Sequence, residues 1–233
     1  MKVFLYFCLR VIINTIRSNH NIFMYKDSSH TLYKSELRSK IQKVAMREFL
    51  AHGIKSVKMD DIANCLGISK RTLYEIYANK EDLLFECVRM HEEENDKLMA
   101  EYVSDKNHSV IDIIIEFYKR QIKRTTDATP EFFAELHKYS KVVVFIENRQ
   151  REHEKSSVAF FKRGVDDGFF RPDIDYSIVM KMVMASMEYI MKEKMYREYD
   201  LKHILYNVTF LFIRGLCTAE GIKRIDTFLQ CGQ

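Results

Sequence analysis

Apolar residues recur at helical spacing along nearly the whole chain from Ser35 to Glu220, and few residues interrupt them. Seven glycines and two prolines in 233 residues leave little material for hairpins or irregular loops. No segment alternates with period two over more than a few residues. The expected fold class is therefore all-α, built from about nine helices. With 47% hydrophobic and 30% charged residues, such a chain has enough apolar surface for a real core.

Local signals place the helices. Leu37, Ile41, Val44, Ala45, Phe49 and Leu50 form one face of a helix over Ser35–His52, which Gly53 ends. Met59–Leu66 is a second, short helix. Gly67 and Ile68 form a turn, and Ser69 is placed to cap a third helix over Lys70–Ile76. Asn79, with Asp82 three residues on, opens a fourth helix that runs from Lys80 past Lys97. Helices are then expected over Val110–Arg124, Glu131–Lys138 behind Pro130, Val142–Asp167, Tyr176–Met195 and Leu201–Glu220.

The formal net charge of +4 is too mild to name a partner, but its distribution is informative. Between Lys34 and Met90 there are eleven Lys and Arg against eight Asp and Glu, so most of the excess lies in about a quarter of the chain. The five cysteines, Cys8, Cys65, Cys87, Cys217 and Cys231, are widely spaced, which fits reduced thiols in a cytoplasm better than a disulfide or zinc framework. Phosphate-binding glycine loops, the GxSxG elbow and HExxH are absent, and no nucleophile–base pair stands at workable spacing. No enzyme, metal or cofactor is expected.

The segment from Ile62 to Leu83, IANCLGISKRTLYEIYANKEDL, carries the functional signal. Ala63 lets two helices cross closely, and Gly67 supplies a sharp turn. Ile62, Leu66, Ile68 and Leu73 bury a small core with Val44, Phe49 and Leu50. This is helix-turn-helix logic. The third helix then turns Lys70, Arg71, Thr72, Tyr74 and Glu75 outward, and such a face fits the major groove of B-DNA. Arg71 is suited to fork onto a guanine. Ser69 and Thr72 offer hydroxyls, while Tyr74, Tyr77 and Lys80 are expected at phosphates. The plain alternative is a solvated helix pair in a helical bundle without DNA function.

These residues resemble the TetR family of bacterial transcriptional repressors. The likeness runs through Ile62-Ala63, Leu66-Gly67-Ile68-Ser69, Thr72-Leu73-Tyr74, Tyr77 and Lys80-Glu81-Asp82-Leu83, with the preceding helix ending at Phe49 and Gly53. A second stretch, Arg163-Gly164 and Gly168-Phe169-Phe170-Arg171-Pro172-Asp173, is similar to the joint before the family's last two helices. The resemblance implies an N-terminal DNA-binding domain and a C-terminal ligand-binding and dimerisation domain. It implies a dimer on a palindromic double-stranded DNA operator, released by a small-molecule effector. It adds Lys58, at the mouth of the second helix, to the DNA contacts. Two positions depart from the pattern. Lys58 stands where a capping Thr or Ser is common, so the cap is lost unless Ser56 replaces it. Ile76 stands where histidine is common.

The domains expected are an extension at 1–33 (with Met24 as an alternative start), the DNA-binding domain at 34–80, the helical domain at 81–222 and a tail at 223–233. The apolar run near the N-terminus also admits a membrane-surface helix, and so a membrane-associated protein. A reader of two half-sites needs a twin, and the helices over Tyr176–Met195 and Leu201–Glu220 are apolar on more than one side. A homodimer through them is expected, with Ala185, Ser186 and Gly215 allowing close approach. Phe117, Tyr118, Gln121, Phe132, Phe133, His137, Met184 and Tyr189 are the candidates for an effector cavity.

Overall fold

The computed structural model describes residues 29–231. The N-terminal extension and its apolar run lie outside the described residues. Ten α-helices follow one another: α1 (Ser29–His52), α2 (Met59–Leu66), α3 (Lys70–Ile76), α4 (Lys80–Ser104), α5 (Val110–Thr126), α6 (Pro130–Leu136), α7 (Ser140–Asp166), α8 (Tyr176–Lys192), α9 (Leu201–Leu216) and α10 (Ala219–Cys231). A single 3-10 turn, Met195–Arg197, joins α8 to α9. Among the described residues there is no strand, and the all-α expectation holds. No described helix is long and apolar enough to cross a membrane.

Side chains cap most of these helices. Ser69, Asn79, Ser109 and Thr129 each accept a backbone N–H three residues on. Gly53 ends α1 with φ 78°, in the left-handed region that glycine adopts without strain, and its N–H donates to Phe49 O at 3.0 Å. Ser56 caps in the opposite sense from the one expected. Its hydroxyl donates to the carbonyls of His52 and Gly53, closing α1, and does not replace a cap on α2. At α2 the deficit is met from the other side, because the Asp61 carboxylate accepts the Lys58 N–H at 2.9 Å.

Two apolar cores run through the molecule. The first joins α1–α3, the start of α4, α6, the start of α7, and parts of α8 and α9, around Phe49, Ile62, Leu73, Leu83, Phe132 and Ile204. The second joins α5 to the ends of α4, α7 and α9 and to α10, around Phe117, Phe160, Phe170, Ile213 and Ile225.

The joint after α7 organises the second core. The Gly164 carbonyl accepts the N–H groups of Phe169 and Phe170, both at 2.9 Å. The Phe170 ring lies across Gly164 so closely that a Cβ there would sit 2.0 Å from it. Phe170 also bridges to Cys217, with Arg171 N–H donating to Leu216 O and Thr218 N–H to Phe169 O. This bridge cuts the expected Leu201–Glu220 helix at Leu216. The chain turns there, Thr218 opens α10, and residues 223–231 are helical where a tail was expected. The physical reason is an apolar stripe of Ile222, Ile225, Phe228 and Leu229 that packs in the second core, pinned by Arg224 to Asp112 at 2.8 Å.

Gly164→Ala is expected to push the Phe170 ring out of place and to lower stability by about 1–3 kcal/mol, the usual cost of overpacking. Thermal unfolding of the variant checks this; an unchanged melting temperature would mean that the joint is not close-packed.

Candidate nucleic-acid interface

The α2–α3 pair is held by local chemistry. Ile62, Ala63 and Leu73 are buried against α1. Gly67, with φ 64°, donates its N–H to Asn64 O at 3.1 Å, and Ile68 N–H reaches Ala63 O at 3.1 Å. The turn therefore closes α2 and sends α3 off at once. Ser69 Oγ accepts the Thr72 N–H at 3.0 Å and lies 2.8 Å from Thr72 Oγ1, so the two hydroxyls form one polar corner at the start of α3.

Lys70, Arg71 and Tyr74 face solvent. The Lys70 ammonium donates to Asp60 at 2.8 Å and stands 5.9 Å from the centre of the Tyr74 ring. Arg71 Nε donates to Glu75 at 2.9 Å, with its side chain 89% exposed. Exposed pairs of this kind contribute little, so both cations can exchange a carboxylate for a phosphate or a base edge. Lys58 is exposed at the mouth of α2. Of the eight residues expected at DNA, Ser69, Lys70, Arg71, Thr72 and Tyr74 lie on α3 and its cap, and Lys58 is exposed at the start of α2.

The other two are built differently. Tyr77 is only 4% exposed, and its hydroxyl is buried near Gln42. Burial pushes that phenol up to about 12, with Cys87 adding to the rise and Arg38 opposing it. Tyr77 is a core residue. The cation at this edge is Arg38 of α1, exposed and 5.8 Å from the Tyr77 ring centre, which sequence spacing alone did not single out. Lys80 turns inward: its ammonium donates to Ile54 O at 2.8 Å, Val57 O at 3.0 Å and Lys55 O at 3.4 Å. Burial lowers its pKa, and Glu135 opposes the fall. Lys80 staples the α1–α2 loop to α4.

The residues expected at an effector are scattered. Phe117 and Tyr118 belong to the second core, Tyr118 edge-on to Phe210 at 4.8 Å, whereas Phe133 and Met184 pack in the first. Gln121 is buried on α5, while His137 and Tyr189 are exposed. A small cavity of about 40 Å³ opens between α1, α4, α5 and α6, lined by Met46, Leu50, His91, Arg124, Asp127, Phe132 and Phe133. Of the expected set only Phe132 and Phe133 reach it. Beside it Arg124 forms a charged hydrogen bond with Glu92, which is fully buried. Burial alone would raise the Glu92 pKa, but the charges and hydrogen bonds of Arg124 and His91 prevail and hold it at about 2. Helix periodicity offered no sign of this pair, whose members stand 32 residues apart.

A helix-turn-helix with an exposed basic and aromatic face on an all-helical body defines a DNA-binding protein. Residues 41–87 match the profile of the bacterial regulatory proteins, tetR family. The HTH-type transcriptional repressor KstR2 of Mycolicibacterium smegmatis is 25% identical over 161 residues, which cover 63% of this chain and 73% of that protein. Its counterpart in Mycobacterium tuberculosis is 24% identical over 162 residues, covering 63% and 75%. A TetR-family transcriptional regulator from Agrobacterium tumefaciens shares the fold, with a TM-score of 0.63 and 17% identity across 79% of this chain and 100% of that one. The helix-turn-helix segment thus matches that of the tetR family, and the chain is a DNA-binding transcriptional regulator similar to these repressors.

Lys80→Met is expected to lower stability by about 2 kcal/mol, because the loop carbonyls lose a charged donor, and to leave the salt dependence of DNA binding unchanged. Urea unfolding and a salt titration check both; a shallower salt slope with full stability would return Lys80 to the DNA. Arg124→Met strands a buried carboxylate and is expected to cost about 3–5 kcal/mol near neutral pH. In the wild type the depressed pKa of Glu92 gives stability that is present above the unfolded value and lost as the pH falls toward 2. The gap between the two proteins should therefore narrow on acidification below about pH 5; a gap independent of pH would contradict the pairing.

Proposed function

We propose that the chain is a repressor rather than an enzyme, acting in the cytoplasm as a homodimer on a palindromic operator and released by a small-molecule effector. The observation that carries this reading is a pair of separate exposed faces on one chain. One is the α3 face with Arg71. The other is an apolar surface on α8 and α9, where Ile178, Met182, Tyr189 and Leu211 are between 54% and 72% exposed. The first suits a groove and the second suits a twin. Two copies joined through α8 and α9 would carry two α3 helices to half-sites about 34 Å apart.

The route for release runs through α6. Its N-cap Thr129 donates a backbone N–H to Leu50 O at 2.8 Å, at the end of α1. Its last turn holds the α1–α2 loop, with Glu135 accepting the Lys55 N–H at 2.7 Å. An effector that shifts α5 or α6, near Phe117, Tyr118, Gln121, Phe133, His137 or Met184, would drag the reading head with it and change the spacing of the two α3 helices.

A gel shift with the DNA upstream of the chain's own gene tests the reading. Binding that weakens steeply with salt is expected, and Arg71→Ala should weaken it by about 1–3 kcal/mol, or roughly 5- to 150-fold. Leu211→Glu should yield a folded monomer by sedimentation and lose most of the affinity. No shift at low salt, on this DNA or on a random pool, would sink the proposal.

A further inference from the structure

The middle of the exposed side of α3 carries a pair of opposite charges. Arg71 and Glu75 stand two residues before and two residues after the buried Leu73, and two residues are about 200° of helical turn. Both side chains therefore point away from the core, along the line on which a groove would close over α3. Lys70 and Tyr74 lie to one side of that line and Thr72 to the other. Arg71 Nε donates to Glu75 Oε1 at 2.9 Å, with the two side chains 89% and 61% exposed.

A carboxylate at that place works against plain phosphate binding. An ionised glutamate only accepts hydrogen bonds, and the phosphates repel it. Along the floor of the major groove two kinds of base-edge group donate, the N4 amino group of cytosine and the N6 amino group of adenine. Adenine sets its N7 acceptor beside N6, where it opposes a carboxylate. Cytosine presents its amino group with no acceptor of its own in the groove. Arg71 has the complementary need. With Nε held by Glu75, its two terminal Nη groups make the fork that meets O6 and N7 of a guanine.

We infer that Glu75 sets base specificity by accepting a hydrogen bond from the N4 amino group of a cytosine, while Arg71 forks onto a guanine close by. This rests on the reading that α3 enters the groove, and adds what is read there. The two residues are separated by about 6 Å of helix rise, and bases stack about 3.4 Å apart along a strand. The guanine and the cytosine therefore lie within two base-pair steps of each other. The hydrogen bond between Arg71 and Glu75 in the free protein aligns both groups before DNA arrives. On every other sequence Glu75 meets acceptors, so it discriminates by repulsion as well as by attraction.

The test is selection of duplexes from a random pool by the full chain, as wild type, Glu75→Ala and Glu75→Gln, followed by affinities on single-base variants of the selected site. The wild type is expected to select a guanine and a cytosine within two base pairs, and replacing that cytosine should weaken binding roughly 5- to 150-fold. Glu75→Ala should accept any base at the cytosine position and bind random DNA more tightly. Glu75→Gln should move the preference there from cytosine to adenine, because an amide pairs with N6 and N7. The guanine preference should persist in both variants. A wild type that selects adenine instead, or variants that keep the wild-type preference and gain affinity equally on all sequences, would overturn the role of Glu75 and leave α3 in the groove. A wild type that binds no duplex at low salt would overturn the groove reading itself.

Discussion

Three carbonyls of the α1–α2 loop converge on the ammonium of Lys80, and the placement of the reading helix depends on that contact. The loop turns sharply at Gly53, which packs beside Glu131 and Glu135 of α6. Lys80 supplies the donors from the first turn of α4. The loop is thereby held against α4 while Leu73 and Tyr77 are buried in the core beneath. With that side of α3 pinned, only the opposite side, carrying Lys70, Arg71 and Tyr74, is left for a partner. A duplex-reading surface is thus the remainder once burial has been satisfied.

In the proposed release, the same loop would link α3 to the effector. Glu135 of α6 and Lys80 of α4 hold it from two sides, and Thr129 takes a carbonyl at the end of α1. A helix of seven residues therefore grips the DNA-binding unit at both of its ends. The Glu92–Arg124 pair sits beside α6, with the Glu92 side chain fully buried and that of Arg124 12% exposed. Such a pair adds little net stability over apolar packing but penalises any arrangement that separates its members. It gives the body behind α6 a defined position from which displacement can be transmitted.

The helix-turn-helix was legible because its signals are local. Gly67, Ser69 and Asn79 act on backbone groups within three residues, and the apolar spacing of Ile62, Leu66 and Leu73 needs no distant partner to be read. The intrachain contacts of Tyr77 and Lys80 were not legible for the opposite reason. A tyrosine or lysine beside a turn looks the same in sequence whether it meets a phosphate or a loop 23–26 residues away, and tertiary contact decides. α10 escaped notice because its stripe is short and follows a turn created by the Phe170–Cys217 bridge, which joins residues 47 apart in the chain. The effector candidates were chosen for being aromatic or polar on helices, a choice that does not separate a cavity wall from core packing.

We propose that the exposed side of α3 lies in the groove of bound DNA. A photo-crosslinking amino acid placed at position 74, with the protein bound to its operator duplex, tests this directly. A protein–DNA adduct is expected at position 74, and none from the same probe at position 206 on α9, where Tyr206 is 40% exposed. A complex that forms with full affinity yet gives no adduct at position 74 would contradict it.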